Sequence, residues 1–226
     1  MLRRGLRQKL RDLRSSLFRV RDYALSEAYY GRELRRHCKG KSGLLLNIGC
    51  GQLTADGWVN VDYQPIQGRS FYLDVHNGLP LSNGSAHHIH CEHFLEHLEF
   101  SEARRFLCEC ARVLEHAGTM RLVVPDLEKY VTAYAKNDHS FFEGFRFLGG
   151  AVEPLETKGT VCNQMFRMGG DHKFAWDFET LKHAARSCGF SDVTRSSLGD
   201  ISADLDIDGR DGWRPLESLY ANLVKS

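Results

Sequence analysis

The stretch Leu44-Leu45-Leu46-Asn47-Ile48-Gly49-Cys50-Gly51 constrains this chain most, because an apolar run long enough for one buried strand passes directly into a turn with two glycines. Glycine has no Cβ, so such a turn brings backbone N–H groups close to a ligand where side chains would block the approach. The next apolar run, Trp58-Val59-Asn60-Val61-Asp62, ends in a carboxylate, the group that accepts hydrogen bonds from a ribose diol in dinucleotide-type folds. Phe71-Tyr72-Leu73 ends in Asp74, which either receives an adenine amino group or caps the following turn. Only eight residues, 50–57, separate the first two runs. A parallel crossover takes a dozen or more, so the first crossover helix is expected to be stunted or missing.

Downstream of Gly43, short apolar runs alternate with helical stretches, the pattern of a parallel sheet covered by helices. Strands are expected at 43–48, 57–62, 70–73, 86–91, 119–124, 190–196 and 218–224. One helix is expected over 101–115, from Ser101 as N-cap to Gly118, and a second over 177–188, from Asp177 to Gly189. Residues 126–176 are less regular and carry Phe141, Phe142, Phe145 and Phe147 with two Gly-Gly pairs, which suits a lid or acceptor-binding insertion.

As a set, these stretches resemble the class I S-adenosylmethionine-dependent methyltransferases, within them the short bacterial kind found among polysaccharide-biosynthesis genes. "LLLNIGCG" is similar to the family's first motif, "GWVNVD" to its acidic second strand, and "LDVHNGLPLSNGS" to its adenine-side loop. "CEHFLEHL" is similar to the fourth-strand motif and "ARVLEHAGTMRLVVPD" to the helix leading into the fifth strand. The resemblance implies an α/β fold with a Rossmann-like, seven-stranded, mostly parallel sheet and an antiparallel last strand. It implies S-adenosyl-L-methionine as cofactor, with Asn47, Gly49, Cys50, Gly51 and Glu92 around it, Asp62 at the ribose and Asp74 at the adenine. His87-His88 departs from the family, which commonly has an acidic residue before the fourth strand. The third glycine of a dehydrogenase G-x-G-x-x-G fingerprint is absent, since Gln52, Leu53 and Thr54 follow Gly51.

Glu92-His93-Phe94-Leu95-Glu96-His97 begins where the fourth strand ends, at the sheet edge where such folds bind ligands. Methyl transfer to an oxygen acceptor benefits from a nearby base, and His93 is the candidate, its imidazole titrating in the physiological range. His93, Glu96 and His97, at i, i+3 and i+4, share a face on a helical turn, as metal ligands do. The expectation is nevertheless that Glu96 and His97 serve the start of the following helix and that no metal is bound. The same letters fit the H-x-x-E-H run of inverted zinc peptidases, which would require a long helix rather than a strand end. Asn163, Arg167, Asp171 and His172 form a second polar cluster, and Arg167 and His172 are the candidates for acceptor binding.

The net charge of +1 conceals an asymmetry: residues 1–41 hold 13 Lys/Arg against 4 Asp/Glu, or +9, and the remainder 17 against 25, or −8. Leu2, Leu6, Leu10, Leu13, Leu17, Val20 and Ala24 form a helical stripe in the basic part. Residues 1–41 are therefore expected as a basic amphipathic helical extension, and 42–226 as the methyltransferase domain. Peripheral membrane contact through residues 1–24 is the partner expected besides a small-molecule or glycan acceptor, with no nucleic acid. No apolar run spans a bilayer, and seven scattered cysteines without a C-x-x-C pair suggest reduced thiols in a cytoplasmic protein. The alternative to catalysis is a methyltransferase-fold binding protein whose basic helix takes an anionic partner.

Overall fold

The computed structural model describes residues 31–146, 154–210 and 212–226. The stripe of residues 1–24, Phe147 and the pair Gly149-Gly150 lie outside the described residues. Residues 31–38 (α1) are helical and send Leu34 and Cys38 into the main core, so the chain from residue 31 packs as part of the domain rather than as an extension of it.

Seven strands follow: β1 (Leu44–Ile48), β2 (Val59–Asp62), β3 (Phe71–Tyr72), β4 (Ala86–Glu92), β5 (Leu114–Pro125), β6 (Phe190–Ser196) and β7 (Ser218–Lys225). They form one sheet in the order β3-β2-β1-β4-β5-β7-β6. The first five pair in parallel, and β7 runs antiparallel to both β5 and β6, as expected of the last strand. Nothing helical connects β1 to β2 among the described residues, as the short spacing required.

Helix α2 (Phe100–Val113) starts at Glu99, not Ser101, because Glu99 and Glu102 form a reciprocal capping box. It ends before residue 115, since Leu114 already pairs with Ala86 and belongs to β5. Helix α6 (Phe178–Arg186) is capped by Asp177, whose carboxylate accepts from Thr180 N at 2.7 Å. Cys108 on α2 and Cys188 beyond α6 form a disulfide, with Cα atoms 4.5 Å apart. That corrects the expectation of reduced thiols for these two, while Cys38, Cys50, Cys91, Cys110 and Cys162 are free: the two elements pack side by side, a neighbourhood that sequence separation conceals.

Side chains alternate across strands. Leu46, Ile48, Val59, Val61, Ile89, Cys91, Met120, Leu122, Leu219 and Ala221 point to the main core, which α2 and α6 also enter. The opposite face is polar yet buried: Asn47, Asn60, His88, His90, Glu92 and Arg121. Trp58, in the connection that lacks a helix, sets its ring edgewise against His88 and His90. The segment 197–210 covers the rest, bringing Asp208 and the Ser197 carbonyl to Arg121.

This layer makes the fold acid-sensitive. Burial, then the charges of His90, His87 and Arg121, push the His88 pKa down to about 3, so the folded protein holds that ring neutral. The unfolded ring titrates near 6.5. A depressed pKa gives stability that is complete above the unfolded value and is lost as pH falls towards the folded one, with a slope of up to about 1.4 kcal/mol per pH unit. Glu92, held at about 2, adds a loss of the same sign below about pH 4.5. Urea unfolding should therefore cost about 2 kcal/mol less at pH 5 than at pH 7 through His88 alone. His88→Asn should remove that difference, and a variant as acid-sensitive as the parent would refute the assignment.

Three short helices, α3 (Leu127–Ala135), α4 (His139–Glu143) and α5 (Lys158–Arg167), follow β5 at its carboxyl end. They build a second core from Tyr130, Phe141, Phe142, Phe145, Val161 and Met165. A final turn, α7 (Arg214–Glu217), leads into β7.

Candidate functional site

At the carboxyl end of β1 the chain turns on Gly49 and Gly51, both with positive φ, 70° and 48°. Gly51 N–H donates to one Asp62 carboxylate oxygen at 2.8 Å and Gln64 N–H to the other at 2.8 Å, so glycine turn and β2 carboxylate are locked together. A Cβ on Gly51 would meet nothing within 4 Å, whereas one on Gly49 would come within 2.7–2.8 Å of Phe94. The turn thus has one glycine packed against the chain and one facing open space. A ligand with a ribose fits this edge, since the backbone at Gly51 is exposed and each Asp62 oxygen keeps a further lone pair.

Asn47 is in the right place but faces elsewhere. Its side chain is buried and donates to Leu53 O at 2.7 Å and Asn60 Oδ1 at 3.0 Å, bracing the helix-free connection. The Cys50 thiol is buried too, its pKa raised to about 11 by burial and by the Asp62 charge. Any contact from Cys50 to a cofactor therefore runs through its backbone. Asp74 caps the turn Val75–Asn77, accepting from His76 N at 3.0 Å. That is the capping role that the sequence left open beside the adenine role.

Glu92 requires a correction. The strand alternation that places His88 and His90 on the covered face places Glu92 there as well. Its carboxylate accepts from Gly209 N at 2.8 Å, lies 3.3 Å from His90 Nε2 and pairs with Arg214. Burial alone would raise its pKa, but these partners together hold it at about 2. Glu92 fastens the segment around residue 209 to the sheet, so its side chain is spent on the fold instead of facing a cofactor.

His93, the next residue, adopts φ 48° and faces the other way. It lines a cavity of about 110 Å³ together with Tyr130, Met165, His172, Trp213 and Glu217. Its Nε2 is 3.0 Å from Ser218 Oγ, and its Nδ1 is 3.3 Å from Glu96 Oε1 and 3.9 Å from Glu217 Oε1. Burial opposes a charge on this ring, but Glu96 and then Glu217 outweigh it and raise its pKa above the ordinary value. Glu217, raised mainly by burial, accepts a hydrogen bond from the Tyr130 hydroxyl. Phe94, beside His93, is the residue that packs on Gly49, so the chain just after β4 links the glycine turn to this cavity.

Glu96 is 2% exposed, and neither of its oxygens has a hydrogen bond of good geometry among the described residues. The His93 contact is close in distance but out of line. Of the second polar cluster, His172 lines the cavity and Arg167 does not. Residues 158–167 form a helix that turns Val161, Gln164 and Met165 to the cavity, leaving Arg167 on its exposed side. Asn163 is exposed and donates to Gly159 O at 2.9 Å, and Asp171 is exposed. Tyr130, Trp213 and Glu217 were absent from the sequence reading. The acidic residue just before β7 in "PLESLY" was their sole trace.

Residues 59–122 match the family model described as "Methyltransferase domain". No curated protein matches the chain. Among solved structures, a SAM-dependent methyltransferase from Archaeoglobus fulgidus is 18% identical, with 90% of this chain and 99% of that chain covered and a TM-score of 0.49. A SAM-dependent methyltransferase from Thermotoga maritima is 15% identical over 93% and 96%, with a TM-score of 0.49. A chain of the complex between the Haloferax volcanii Trm112 methyltransferase activator and a methyltransferase is 16% identical over 91% and 93%, with a TM-score of 0.46.

Proposed function

We propose that this chain, a class I S-adenosylmethionine-dependent methyltransferase, methylates a hydroxyl or carboxyl oxygen of a small acceptor, a sugar or glycan precursor, held in the cavity beside His93. The observation that carries the reading is the Gly51–Asp62 hydrogen bond at the sheet's carboxyl edge, with the two residues after β4 placed on either side, His93 in the cavity wall and Phe94 on Gly49. S-adenosyl-L-methionine, when bound, supplies a sulfonium methyl group that an oxygen nucleophile can take. The chain's own part is to bind and to orient. Gly51 leaves room for backbone approach, and Asp62 accepts from the ribose while holding the turn in place.

Glu96 and Glu217 sit around His93 Nδ1 and favour its N–H form, which leaves the lone pair on Nε2. Nε2 would take the acceptor's hydroxyl proton when the acceptor displaces Ser218 Oγ from its lone pair; a carboxylate acceptor needs no base. Ser218 Oγ, 3.0 Å from Nε2, holds the ring in position until the acceptor enters, and the two carboxylates at Nδ1 hold it thereafter. His172 and Trp213 complete the acceptor wall.

Peripheral contact between residues 1–24 and an anionic membrane surface belongs to the same proposal, resting on the basic stripe in the sequence. No helix among the described residues is long and apolar enough to cross a membrane.

Calorimetry with S-adenosylmethionine and S-adenosylhomocysteine tests the central reading. Binding of both is expected, and Asp62→Ala should weaken it roughly ten- to hundredfold through loss of a charge-assisted hydrogen bond. An Asp62→Ala protein of unchanged affinity would refute the ribose role, and no binding to the parent would overturn the cofactor site.

A further inference from the structure

We infer that Glu96, His97 and His172 form a binding site for a divalent first-row transition-metal ion in the wall of the acceptor cavity. The inference deepens the function proposed above, because the ion would present an open coordination position to an oxygen of the acceptor.

The site exists through the path of the chain. Glu96 and His97 lie in the short 3-10 turn Leu95–His97 that follows β4. After α5 the chain returns alongside it, and the Glu96 carbonyl accepts from Lys173 N at 2.8 Å and Phe174 N at 3.2 Å. This pairing carries His172 to His97, with ring centroids 4.9 Å apart and planes nearly perpendicular. One carboxylate oxygen of Glu96 and one ring nitrogen from each histidine then lie within 4.8 Å of one another. Two ligands about 2.1 Å from one tetrahedral ion sit about 3.4 Å apart, so small side-chain rotations complete the set.

Two observations favour a cation over an ordinary polar cluster. The first is Glu96 itself: it is 2% exposed, and apart from the ion-pair contact of one oxygen with His93 Nδ1 at 3.3 Å, which is out of line for a hydrogen bond, both oxygens are buried without a partner among the described residues. A buried carboxylate in that condition is costly unless a cation or donor meets it. The second is the tautomer of the histidines. His172 Nδ1 is 2.5 Å from Met165 O and His97 Nδ1 is 3.3 Å from Asp171 O. A carbonyl only accepts, so both Nδ1 atoms carry a proton, and in the neutral rings the lone pair available to a metal is on Nε2. An N–H held by a backbone carbonyl is the usual outer support of a metal-bound imidazole.

The ligand types select the ion. Two imidazoles and one carboxylate suit zinc, cobalt, iron or manganese better than magnesium or calcium, which prefer oxygen alone. A second grouping, His90, Glu92 and Asp208, meets the same spacing. There the arginines already do the work of a cation, Arg214 on Glu92 and Arg121 on Asp208. The helical spacing in the sequence had joined His93 to Glu96 and His97. In the fold, His93 Nε2 faces Ser218 and its Nδ1 lies between Glu96 and Glu217, so His93 stands beside the carboxylate and His172 is the third ligand.

The full-length protein, stripped with chelator, would be titrated with Co²⁺ by visible absorption and with Zn²⁺ by calorimetry. One equivalent is expected to bind, with visible d–d bands for cobalt. Glu96→Gln and His172→Gln should each weaken binding by roughly a hundredfold or more, beyond the 10–100-fold that loss of an outer-shell partner brings. Asn163→Ala, on the exposed side of α5, should bind like the parent. Circular dichroism and S-adenosylmethionine binding establish that each variant is folded, and His172→Gln, only half-buried, decides the question if Glu96→Gln fails to fold. Parent protein that binds neither ion, or binding that persists in a folded His172→Gln protein, overturns the site. Metal binding without S-adenosylmethionine binding would leave the site standing and remove the function it was meant to serve.

Discussion

Arg121→Ala should lower the unfolding free energy by about 3–5 kcal/mol, since removing one partner of a buried ion pair leaves the other charge uncompensated. Arg121 and Asp208 both have fully buried side chains. The guanidinium donates to Asp208 through Nε at 3.0 Å and again through a terminal nitrogen, to the Ser197 carbonyl at 2.6 Å and to Asn222 Oδ1 at 2.9 Å. The Tyr220 ring lies 4.9 Å from its central carbon. One side chain therefore ties β5, β7 and the covering segment 197–210 together. Denaturant unfolding measures the loss, and a change below about 1 kcal/mol would show that the pair is not the clasp described. Arg121→Met combined with Asp208→Leu should recover most of it, because an apolar pair of similar volume needs no compensation.

The same clasp shows why half of the fold was legible in the sequence and half was not. Strand positions came out within one or two residues wherever an apolar run met a turn signal, as at Leu44–Ile48 and Val59–Asp62. The main exception was β5, which begins at Leu114, five residues before the expected start, because pairing with Ala86 overrides the helical pattern of residues 101–115. The missing crossover was legible from its length alone. What it entailed was not: with no helix there, the uncovered face is closed by Trp58 and by a loop about 150 residues later in the chain. Local pattern carries no information on such a partner. Arg121 and Asp208, each ordinary in sequence, acquire their roles only through that contact.

The site divides along the same line. Gly49, Gly51, Asp62 and His93 follow directly from strand ends, and the fold brings them to one edge. Glu92 was misread because motif resemblance placed it by position, whereas strand parity sends its side chain to the covered face. Arg167 was misread because residues 158–167 were taken as irregular chain, where helix periodicity now separates it from Met165. His172 meets Glu96 through backbone pairing across more than 70 residues, which no spacing rule reports.

The two glycines of the turn should respond to the same substitution differently, Gly49 mainly in stability and Gly51 mainly in cofactor affinity. Gly49→Ala places a Cβ within 2.7–2.8 Å of three Phe94 atoms, and Phe94 itself packs edge-to-face against Phe106 with ring centroids 5.3 Å apart, so it has little freedom to withdraw. Left-handed strain of roughly 1–2 kcal/mol and overpacking of roughly 1–3 kcal/mol add to an expected loss of about 2–5 kcal/mol in stability. Gly51→Ala carries the strain without the collision, because nothing lies within 4 Å of the new methyl. It should cost only about 1–2 kcal/mol in stability. On the proposed function its methyl would occupy the space through which the cofactor reaches the Gly51 backbone, and S-adenosylmethionine affinity should fall by roughly tenfold or more, equivalent to about 1.4 kcal/mol. Thermal unfolding and calorimetry on the two variants separate the effects. A Gly51→Ala protein that binds the cofactor as tightly as the parent would mean that the open side of this turn is not the cofactor's side. The methyl-transfer reading would then have to be rebuilt around another edge of the sheet.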